Sequence, residues 1–452
     1  MRIGGGGGAG QRFRGQIDDV RIYKVALSPR QAAVVAAGES IGEIAGIAEA
    51  KRSEPQAEKI RLYFLENDAP PRVQHAWREL VARRKEQEQL VDSLPTVMVM
   101  QERETPRETF VLVRGAYDKP ADKVSPGVPA ILPPLPKGSP NNRLGFARWL
   151  VDPSNPLTAR VAVNRFWQMY FGTGLVKTVE DFGAQGEWPT HPELLDWLAT
   201  EFVRTGWDIK AMQKLIVTSA TYRQSSKATP ALLQKDPENR LLARAPRLRL
   251  PAGVIRDQAL AVSGLLVEHL GGPSVKPYQP AGLWKELSGQ DYVQDTGEKL
   301  YRRSLYTFWK RSSPPPSLMN FDAAGREACV VRETRTNTPL QALDLMNDVT
   351  YLEASRKLAE RVMKERRASA EERIALAFRL ASARRPTPRE GAVLHEALSS
   401  YLDEYKANPD AARKYLSLGD SPRDEELDVS ELAAYSTLAS LILNMDETIT
   451  KE

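Results

Sequence analysis

Cysteine is almost absent from the chain: Cys329 is the only one among 452 residues, and there are only four histidines. A single cysteine excludes an internal disulfide, a cysteine-rich zinc site and the C-x-x-C-H motif that attaches haem. The sequence around the thiol, ACVVRE, supplies no activating base, so we expect Cys329 to be a small buried apolar side chain rather than a nucleophile. We expect this chain to hold no metal and no cofactor.

Long hydrophobic runs and nucleotide-binding signatures are also missing. No stretch approaches the 18 or more apolar residues of a membrane-spanning helix, so the sequence predicts no membrane span. The P-loop, the dinucleotide fingerprint and the G-x-S-x-G nucleophile elbow do not occur. The N-terminus, MRIGGGGGAGQRFRG, lacks the features of a secretory signal and is typical of a loop inside a domain. We therefore expect the chain to be truncated at its N-terminus.

Net charge is small, because 63 basic residues face 58 acidic ones and give +5 at pH 7. The charges are interspersed rather than gathered into one basic patch, which argues against nucleic-acid binding. With 42% hydrophobic and 27% charged residues, the composition is that of an ordinary globular protein of two or three domains. The 32 prolines indicate many long, irregular connections.

The first 50 residues contain one strand pattern and one helix pattern. Apolar and polar residues alternate within GQIDDVRIY, most cleanly from Val20 to Tyr23, which predicts a half-buried strand. In the following segment Ser28 is a suitable N-cap, Pro29 suits the first helical turn, and Gly38 ends the pattern.

Residues 51–95 are rich in charge and are predicted to form a solvated helical connector. Residues 96–138 combine short strands with an irregular segment. PTVMVMQE, which starts at Pro95, and ETFVLVRG are the predicted strands. The proline-rich run that ends in PPLPKGSP is expected to cover the next domain, which we place at residues 139–452.

Residues 139–452 carry strong helical periodicity. A first helix is predicted to end at Gly172, because aromatic and apolar residues recur at helical spacing before that glycine. Thr190 and Glu193 have the spacing of a capping box, with Pro192 in the first turn, which predicts a second helix starting at His191. The residues of the first stripe are Val163, Phe166, Trp167, Tyr170 and Phe171.

The C-terminal half continues this pattern. LYRRSLYTFWKR, rich in aromatic residues, is predicted to form a strand, and Thr338 is predicted to cap a helix that runs through Met363. Further helices are predicted around residues 394–402 and 435–443. The predicted fold class is therefore mainly α-helical (α+β): a multi-helix domain with long proline- and glycine-rich loops and small β elements.

One candidate site lies around His191. Asp181 and Glu187 are close to this histidine in sequence, so the segment holds the groups needed for proton transfer. Trp188 adds an aromatic side chain that suits a sugar ring. The alternative is structural, because a helix start explains His191, and the segment lacks a metal-ligand spacing such as H-x-x-x-H.

A second candidate site is rich in arginine. Guanidinium groups bind sulfate or carboxylate groups with two hydrogen bonds, and neighbouring aromatic rings stack on sugars, so the segment is a candidate groove for an anionic polysaccharide. Internal salt bridges with Asp322, Glu327 and Glu333 are the alternative. The arginines are Arg302, Arg303, Arg326, Arg332 and Arg335.

Several long motifs resemble a known family. NRLGFARWLVDPSNPLTARVAVNRFWQMYFGTGLV, EDFGAQGEWPTHPELLDWLA, GGPSVKPYQPAGLW, YRRSLYTFWKR, TRTNTPLQAL and LILNMDET occur in order. Together they resemble the planctomycete-type C-terminal domain of unknown function 1553, found in proteins that also carry cytochrome-like domains.

The segment GQIDDVRIY with ALS resembles the end of a laminin-G-like or concanavalin-like domain. This second resemblance implies that residues 1–50 are the remnant of a β-sandwich.

The resemblance implies an extracytoplasmic setting, periplasmic or secreted, although the chain begins without a signal peptide. It also implies a cytochrome-like domain upstream in full-length relatives. We expect a non-catalytic binding or scaffold module of a larger polysaccharide-processing or cytochrome-linked assembly. The alternatives are a hydrolase acting on anionic polysaccharide and a purely structural domain that packs on the cytochrome-like portion.

Overall fold

The computed structural model of the chain describes residues 15–16, 20–24, 26–105, 107–365 and 369–451. Nineteen α-helices and four short strands in these residues confirm the predicted mainly helical class. The chain divides into two compact units, Met1–Val124 and Ser125–Glu452. None of the described helices combines the length and the apolar composition needed to cross a bilayer.

The elements of the first unit are α1 (Pro29–Ala36), α2 (Ile41–Gly46), α3 (Glu54–Tyr63), α4 (Pro71–Ser93), β1 (Thr109–Leu112) and β2 (Pro120–Val124). Those of the second unit, in chain order, are α5 (Arg143–Leu150), α6 (Thr158–Phe171), α7 (Pro192–Arg204), α8 (Ile209–Thr218), α9 (Pro230–Lys235), β3 (Leu248–Arg249), α10 (Ala252–Ser263), α11 (Leu283–Ser288), α12 (Pro316–Asn320), α13 (Pro339–Asn347), α14 (Val349–Glu365), α15 (Ala370–Ser382), α16 (Pro388–Ala407), α17 (Pro409–Leu416), α18 (Val429–Leu443), α19 (Asp446–Ile449) and β4 (Thr450–Lys451).

Serine caps begin the first three helices. Ser28, Ser40 and Ser53 each accept a hydrogen bond from the backbone amide three residues ahead, and the side chain of that residue accepts one from the amide of the capping serine. The predicted cap at Ser28 is thereby confirmed. Helix α4 has no buried residue along its length, as the charged sequence of the connector predicted.

Two strand predictions in the first unit are wrong. Val20 to Tyr23 form no strand, and Ile17 to Asp19 lie outside the described residues. Residues 95–102 also form no strand, and their side chains from Val97 to Met100 are at least 80% exposed. ETFVLVRG does contain a strand, β1, and its antiparallel partner β2 comes from the proline-rich region. A strand needs a partner, and β2 leaves none for residues 95–102 in this hairpin.

The proline-rich segment after β2 belongs to the second unit and is hydrogen bonded to its helical part. The indole nitrogen of Trp149, in α5, donates a hydrogen bond of 2.6 Å to the carbonyl of Pro133. The Asn141 side chain donates one of 2.9 Å to the carbonyl of Pro126. These bonds tie an extended backbone, which has no regular structure of its own, to the helical domain.

Helices α6, α7 and α8 form one hydrophobic core. The predicted end of α6 is confirmed, because Gly172 has φ of +79° and forms a left-handed C-cap. Phe166 and Phe202 meet edge to face at 5.6 Å between ring centroids. The buried apolar residues are Ala159, Val163, Trp167 and Phe171 from α6, Leu175 and Val176 after it, Leu195, Leu198, Ala199 and Phe202 from α7, and Met212 and Ile216 from α8.

A second and larger core surrounds α18. This helix is buried on nearly all sides, which suits its sequence ELAAYSTLASLIL, and α14, α15, α16 and α17 pack around it. The end of the chain then returns along the domain, where β4 pairs antiparallel with β3. This pairing closes the C-terminal core.

Two further predictions in the second unit need correction. LYRRSLYTFWKR forms short 3-10 turns and two isolated bridges rather than a strand. Buried Arg256 explains this, since its guanidinium takes the carbonyls of Leu300 at 2.7 Å and Arg302 at 2.9 Å. The long helix from Thr338 is divided at Asp348, which leaves the helical conformation and accepts a hydrogen bond from the Thr350 amide. The predicted cap at Thr338 is confirmed, and Gln341 completes a capping box with it.

Candidate functional site

The segment from Thr178 to His191, here called the Trp188 loop, is anchored at both ends to the core of α6 and α7. Fully buried Asn164 holds the entry to the loop, because its side chain accepts a hydrogen bond from the Val176 amide at 2.9 Å and donates one to the Val176 carbonyl at 3.0 Å. At the exit, the Thr190 amide donates to the Leu175 carbonyl at 3.0 Å. The two ends of the loop are therefore fixed side by side.

Hydrogen bonds also fix the interior of the loop. The Thr178 hydroxyl donates to the Asp181 carbonyl at 2.8 Å and accepts from the Glu187 amide at 2.9 Å. The Asp181 carboxylate accepts from the Gly183 amide at 2.7 Å, which forms an Asx turn. At Gly186 an added Cβ would lie 2.3 Å from the Asp181 carbonyl oxygen, so the turn requires glycine. Asp181 thus has a structural use.

Trp188 is the exposed feature of this braced loop. Its side chain is 91% exposed, compared with 53% for Trp197. A tryptophan normally buries most of its area, and a single anchored aromatic is typical of recognition surfaces. The loop therefore presents a large apolar ring to solvent from a fixed backbone.

His191 is the N-cap residue of α7 and not a residue of its first turn. The predicted capping box between Thr190 and Glu193 is wrong, because the Thr190 hydroxyl contacts the Leu175 carbonyl at 3.4 Å and His191 Nδ1 at 3.0 Å. Asp181 and Glu187 form no hydrogen bond or ion pair with the imidazole. In the described part of the chain, no group of three histidine, cysteine, aspartate or glutamate side chains is placed to hold a metal ion.

Arg302 does not face a ligand groove. It is 6% exposed and donates to the carbonyls of Pro273 at 2.9 Å, His269 at 3.0 Å and Gly271, while its guanidinium stacks on the Tyr306 ring at 3.7 Å. These carbonyls use donors on both Nη atoms, so Arg302 fixes the glycine-rich loop before it, whereas its buried Nε has no hydrogen-bond partner in the described structure. The prediction that Arg302 binds a ligand is not supported by this geometry.

The remaining four arginines have different surroundings. Arg303 is half exposed, with its Nε 3.7 Å from the Asp257 carboxylate. Arg326 stacks on Trp309 at 4.4 Å. Burial lowers the pKa of Arg335 from its ordinary value, although Glu333 opposes this shift. The sequence pattern therefore does not describe one continuous groove.

Arg332 connects the arginine segment to the Trp188 loop. Its Nη2 atom lies 3.6 Å from the Glu180 carboxylate, and both side chains are at least half exposed. Arg332 thus contacts the Trp188 loop through Glu180, a residue that was not among the predicted site residues. An exposed pair of this kind contributes little to stability.

The predicted burial of Cys329 is wrong, because the thiol is exposed. Residues 323–338 form no helix or strand, so they offer no apolar face that could turn Cys329 toward a core. Neighbouring Val330 is exposed as well.

A cavity of about 410 Å³ next to the Trp188 loop was not predicted from the sequence. The loop after α9 forms one wall, and Arg240 from this loop donates to the carbonyls of Gly174 at 3.0 Å and Leu175 at 3.4 Å. Arg244 donates to the carbonyls of its own loop. Asn239 contributes a buried side-chain oxygen without a hydrogen-bond partner. In the sequence this wall is the run DPENRLLARAPR, which has no periodic pattern from which a cavity could be predicted.

Comparison with known proteins gives one family. The family model described as "PSD1: Protein of unknown function (DUF1553)" matches residues 142–398, which is more than half of the chain. No curated protein and no solved structure matches the chain. The matched range contains the Trp188 loop and all five predicted arginines.

Proposed function

The chain belongs to the PSD1 family of proteins of unknown function (DUF1553), and we propose that it is a non-catalytic binding or scaffold module of a larger assembly. The observation that carries this proposal is Trp188, whose side chain is 91% exposed on a loop with fixed ends and a fixed interior. Tryptophan is enriched among the residues that dominate binding energy, and a preformed loop loses little entropy when it binds.

The ligand class that fits this surface best is an anionic polysaccharide. The Trp188 indole offers a flat apolar face to a sugar ring, and exposed Arg332, which contacts the same loop at Glu180, offers hydrogen bonds to a carboxylate or sulfate group. The resemblance to cytochrome-associated proteins supports an extracytoplasmic setting, in which the module belongs to a polysaccharide-processing or cytochrome-linked assembly.

The loop geometry favours binding over hydrolysis. A hydrolase would use His191 with Asp181 and Glu187, but the Asp181 carboxylate serves a turn and His191 contacts Thr190. General acid and base groups have to approach the reacting atoms within hydrogen-bond reach. If the wild type turns over a substrate and His191→Ala does so equally well, His191 has no catalytic role.

The test measures binding of the purified full chain to an array of neutral, uronate-containing and sulfated polysaccharides, and to a cytochrome-like domain. Trp188→Ala should weaken binding at least about tenfold, the effect of losing a residue that dominates an interface. Trp197→Ala is the matched control, because Trp197 is also exposed, at 53%, but lies on α7. We expect this control to bind as the wild type does.

Binding to the cytochrome-like domain alone, lost in Trp188→Ala, would support the scaffold role and overturn the polysaccharide role. The absence of affinity for every probe, at low and at physiological ionic strength, would overturn the proposal.

A further inference from the structure

Three arginines line a second concave surface in the C-terminal core. Arg356 from α14, Arg413 from α17 and Arg423 from the loop after α17 surround a cavity of about 320 Å³, here called the arginine pocket. Ser417 and Ser421 add hydroxyl groups to its lining. Among the described residues that line it, none is acidic.

Arg356 is fixed before any ligand arrives. It is 3% exposed, and its guanidinium donates to the Leu416 carbonyl at 2.7 Å, the Ser421 carbonyl at 2.6 Å and the Ser421 hydroxyl at 2.8 Å. Its Nε is buried and has no hydrogen-bond partner in the described structure. A guanidinium held in this way loses little rotamer entropy on binding.

The charges around the pocket leave one arginine uncompensated. Arg356 lies 3.5 Å from the Glu353 carboxylate, and Arg413 lies 2.6 Å from the Asp410 carboxylate. Arg423 is partly buried and lines the pocket, and it has no ion pair or hydrogen bond to any other described side chain. A partly buried guanidinium beside a cavity attracts an anion, because a low dielectric strengthens the interaction.

The loop after α17 carries five acidic residues, and none of them lines the pocket: Asp420, Asp424, Glu425, Glu426 and Asp428. Asp424, which follows Arg423 in the chain, forms an ion pair with Lys364. Asp420 is absent from the pocket lining, and its carboxylate accepts a hydrogen bond from the Gly297 amide at 3.2 Å. The pocket volume lies at the lower end of the range for small-molecule sites, which is roughly 300–1,000 Å³.

We propose that the arginine pocket binds the oxyanion group of a small molecule, a sulfate or a carboxylate, with Arg423 as the principal charged contact. Guanidinium groups bind such groups with paired, charge-assisted hydrogen bonds. The site shares no residue with the Trp188 loop, so it stands or fails separately from the proposed function.

The test titrates inorganic sulfate, glucuronate, a sulfated monosaccharide and unsulfated glucose into the full chain by calorimetry at constant ionic strength. The wild type should bind the three anions saturably and glucose not at all. Arg423→Gln should lower the affinity for each of the three anions at least about tenfold, which is the effect of losing one charge-assisted hydrogen bond. Arg423→Lys, which keeps the charge but loses the forked geometry, should retain part of the affinity.

Arg389→Gln is the matched control, since it removes the same charge from an exposed position on α16. It should bind all three anions as the wild type does. Equal affinity for sulfate and the sulfated sugar means that the anion alone is recognised, whereas tighter binding of the sugar adds contacts to its ring; both outcomes support the site. No saturable anion binding by the wild type, or an equal loss in both glutamine variants, would overturn it.

Discussion

The Tyr301 hydroxyl donates a hydrogen bond of 2.9 Å to the Glu353 carboxylate in the interior of the second unit, where Glu353 is fully buried. The Tyr278 hydroxyl and the Ser421 amide donate to the same carboxylate, at 2.9 and 2.6 Å. Arg356 supplies the nearby positive charge. One glutamate thus joins α14 to three segments that are distant in sequence. Burial at this site raises the pKa of Tyr301 to about 12.

Replacing Glu353 should destabilise the protein strongly. In Glu353→Gln the buried Arg356 loses its carboxylate partner, and an uncompensated buried charge costs about 3 kcal/mol or more. The urea midpoint of unfolding measures this loss. Glu371→Gln is the control, because the Glu371 side chain is 68% exposed and its removal should change stability by less than about 0.5 kcal/mol. A normal midpoint for Glu353→Gln would contradict the role of this carboxylate.

Gly419→Ala should also destabilise the fold. Gly419 has φ of +87°, and an added Cβ would lie 2.4 Å from Cδ of Glu353. Backbone strain alone costs about 1–3 kcal/mol, and displacement of the glutamate adds to it. Gly391→Ala should instead stabilise by about 0.5–1 kcal/mol, because Gly391 is helical and has open space around it. Thermal unfolding of the two variants should shift in opposite directions; a shared direction would contradict the assignment.

Asn164→Ala should release the entry of the Trp188 loop. The substitution leaves the buried amide and carbonyl of Val176 without partners, at a cost of about 2–4 kcal/mol. Amide hydrogen exchange across residues 173–191 should accelerate. In the control Asn347→Ala only an exposed hydrogen bond to the Leu343 carbonyl is lost, so exchange in the loop should be unchanged. Unaltered exchange in Asn164→Ala would show that other contacts hold the loop.

Acid should weaken the attachment of α16. Hydrogen bonds from Arg384, and then from the Thr387 amide, lower the pKa of Glu390 from its ordinary value near 4.5 to about 2. A depressed pKa in the folded state contributes stability above pH 4.5, and this contribution is lost as the pH falls toward 2. The wild type should therefore lose more stability than Glu390→Gln between these values in denaturant titrations. Parallel pH profiles would contradict the prediction.

Local patterns predicted the elements that depend on local contacts. The caps at Ser28 and Thr338 and the end of α6 at Gly172 are where the sequence placed them. Side chains that serve distant backbone groups were not predictable in this way. Arg302 looked like a ligand contact, because the carbonyls that it binds lie about 30 residues earlier in the chain. Cys329 looked buried because apolar neighbours alone do not fix which way a coil faces.

The sequence by itself determined the helical class, the family and the aromatic stripe of α6, since periodicity and long motifs are properties of neighbouring residues. The tertiary structure decided which polar residues are available for binding. Hydrogen bonds across long separations placed Arg302, Arg256 and Glu353 in the interior and left Trp188 and Arg423 without such partners. Burial depends on what folds over a residue, and one segment of sequence does not contain that information.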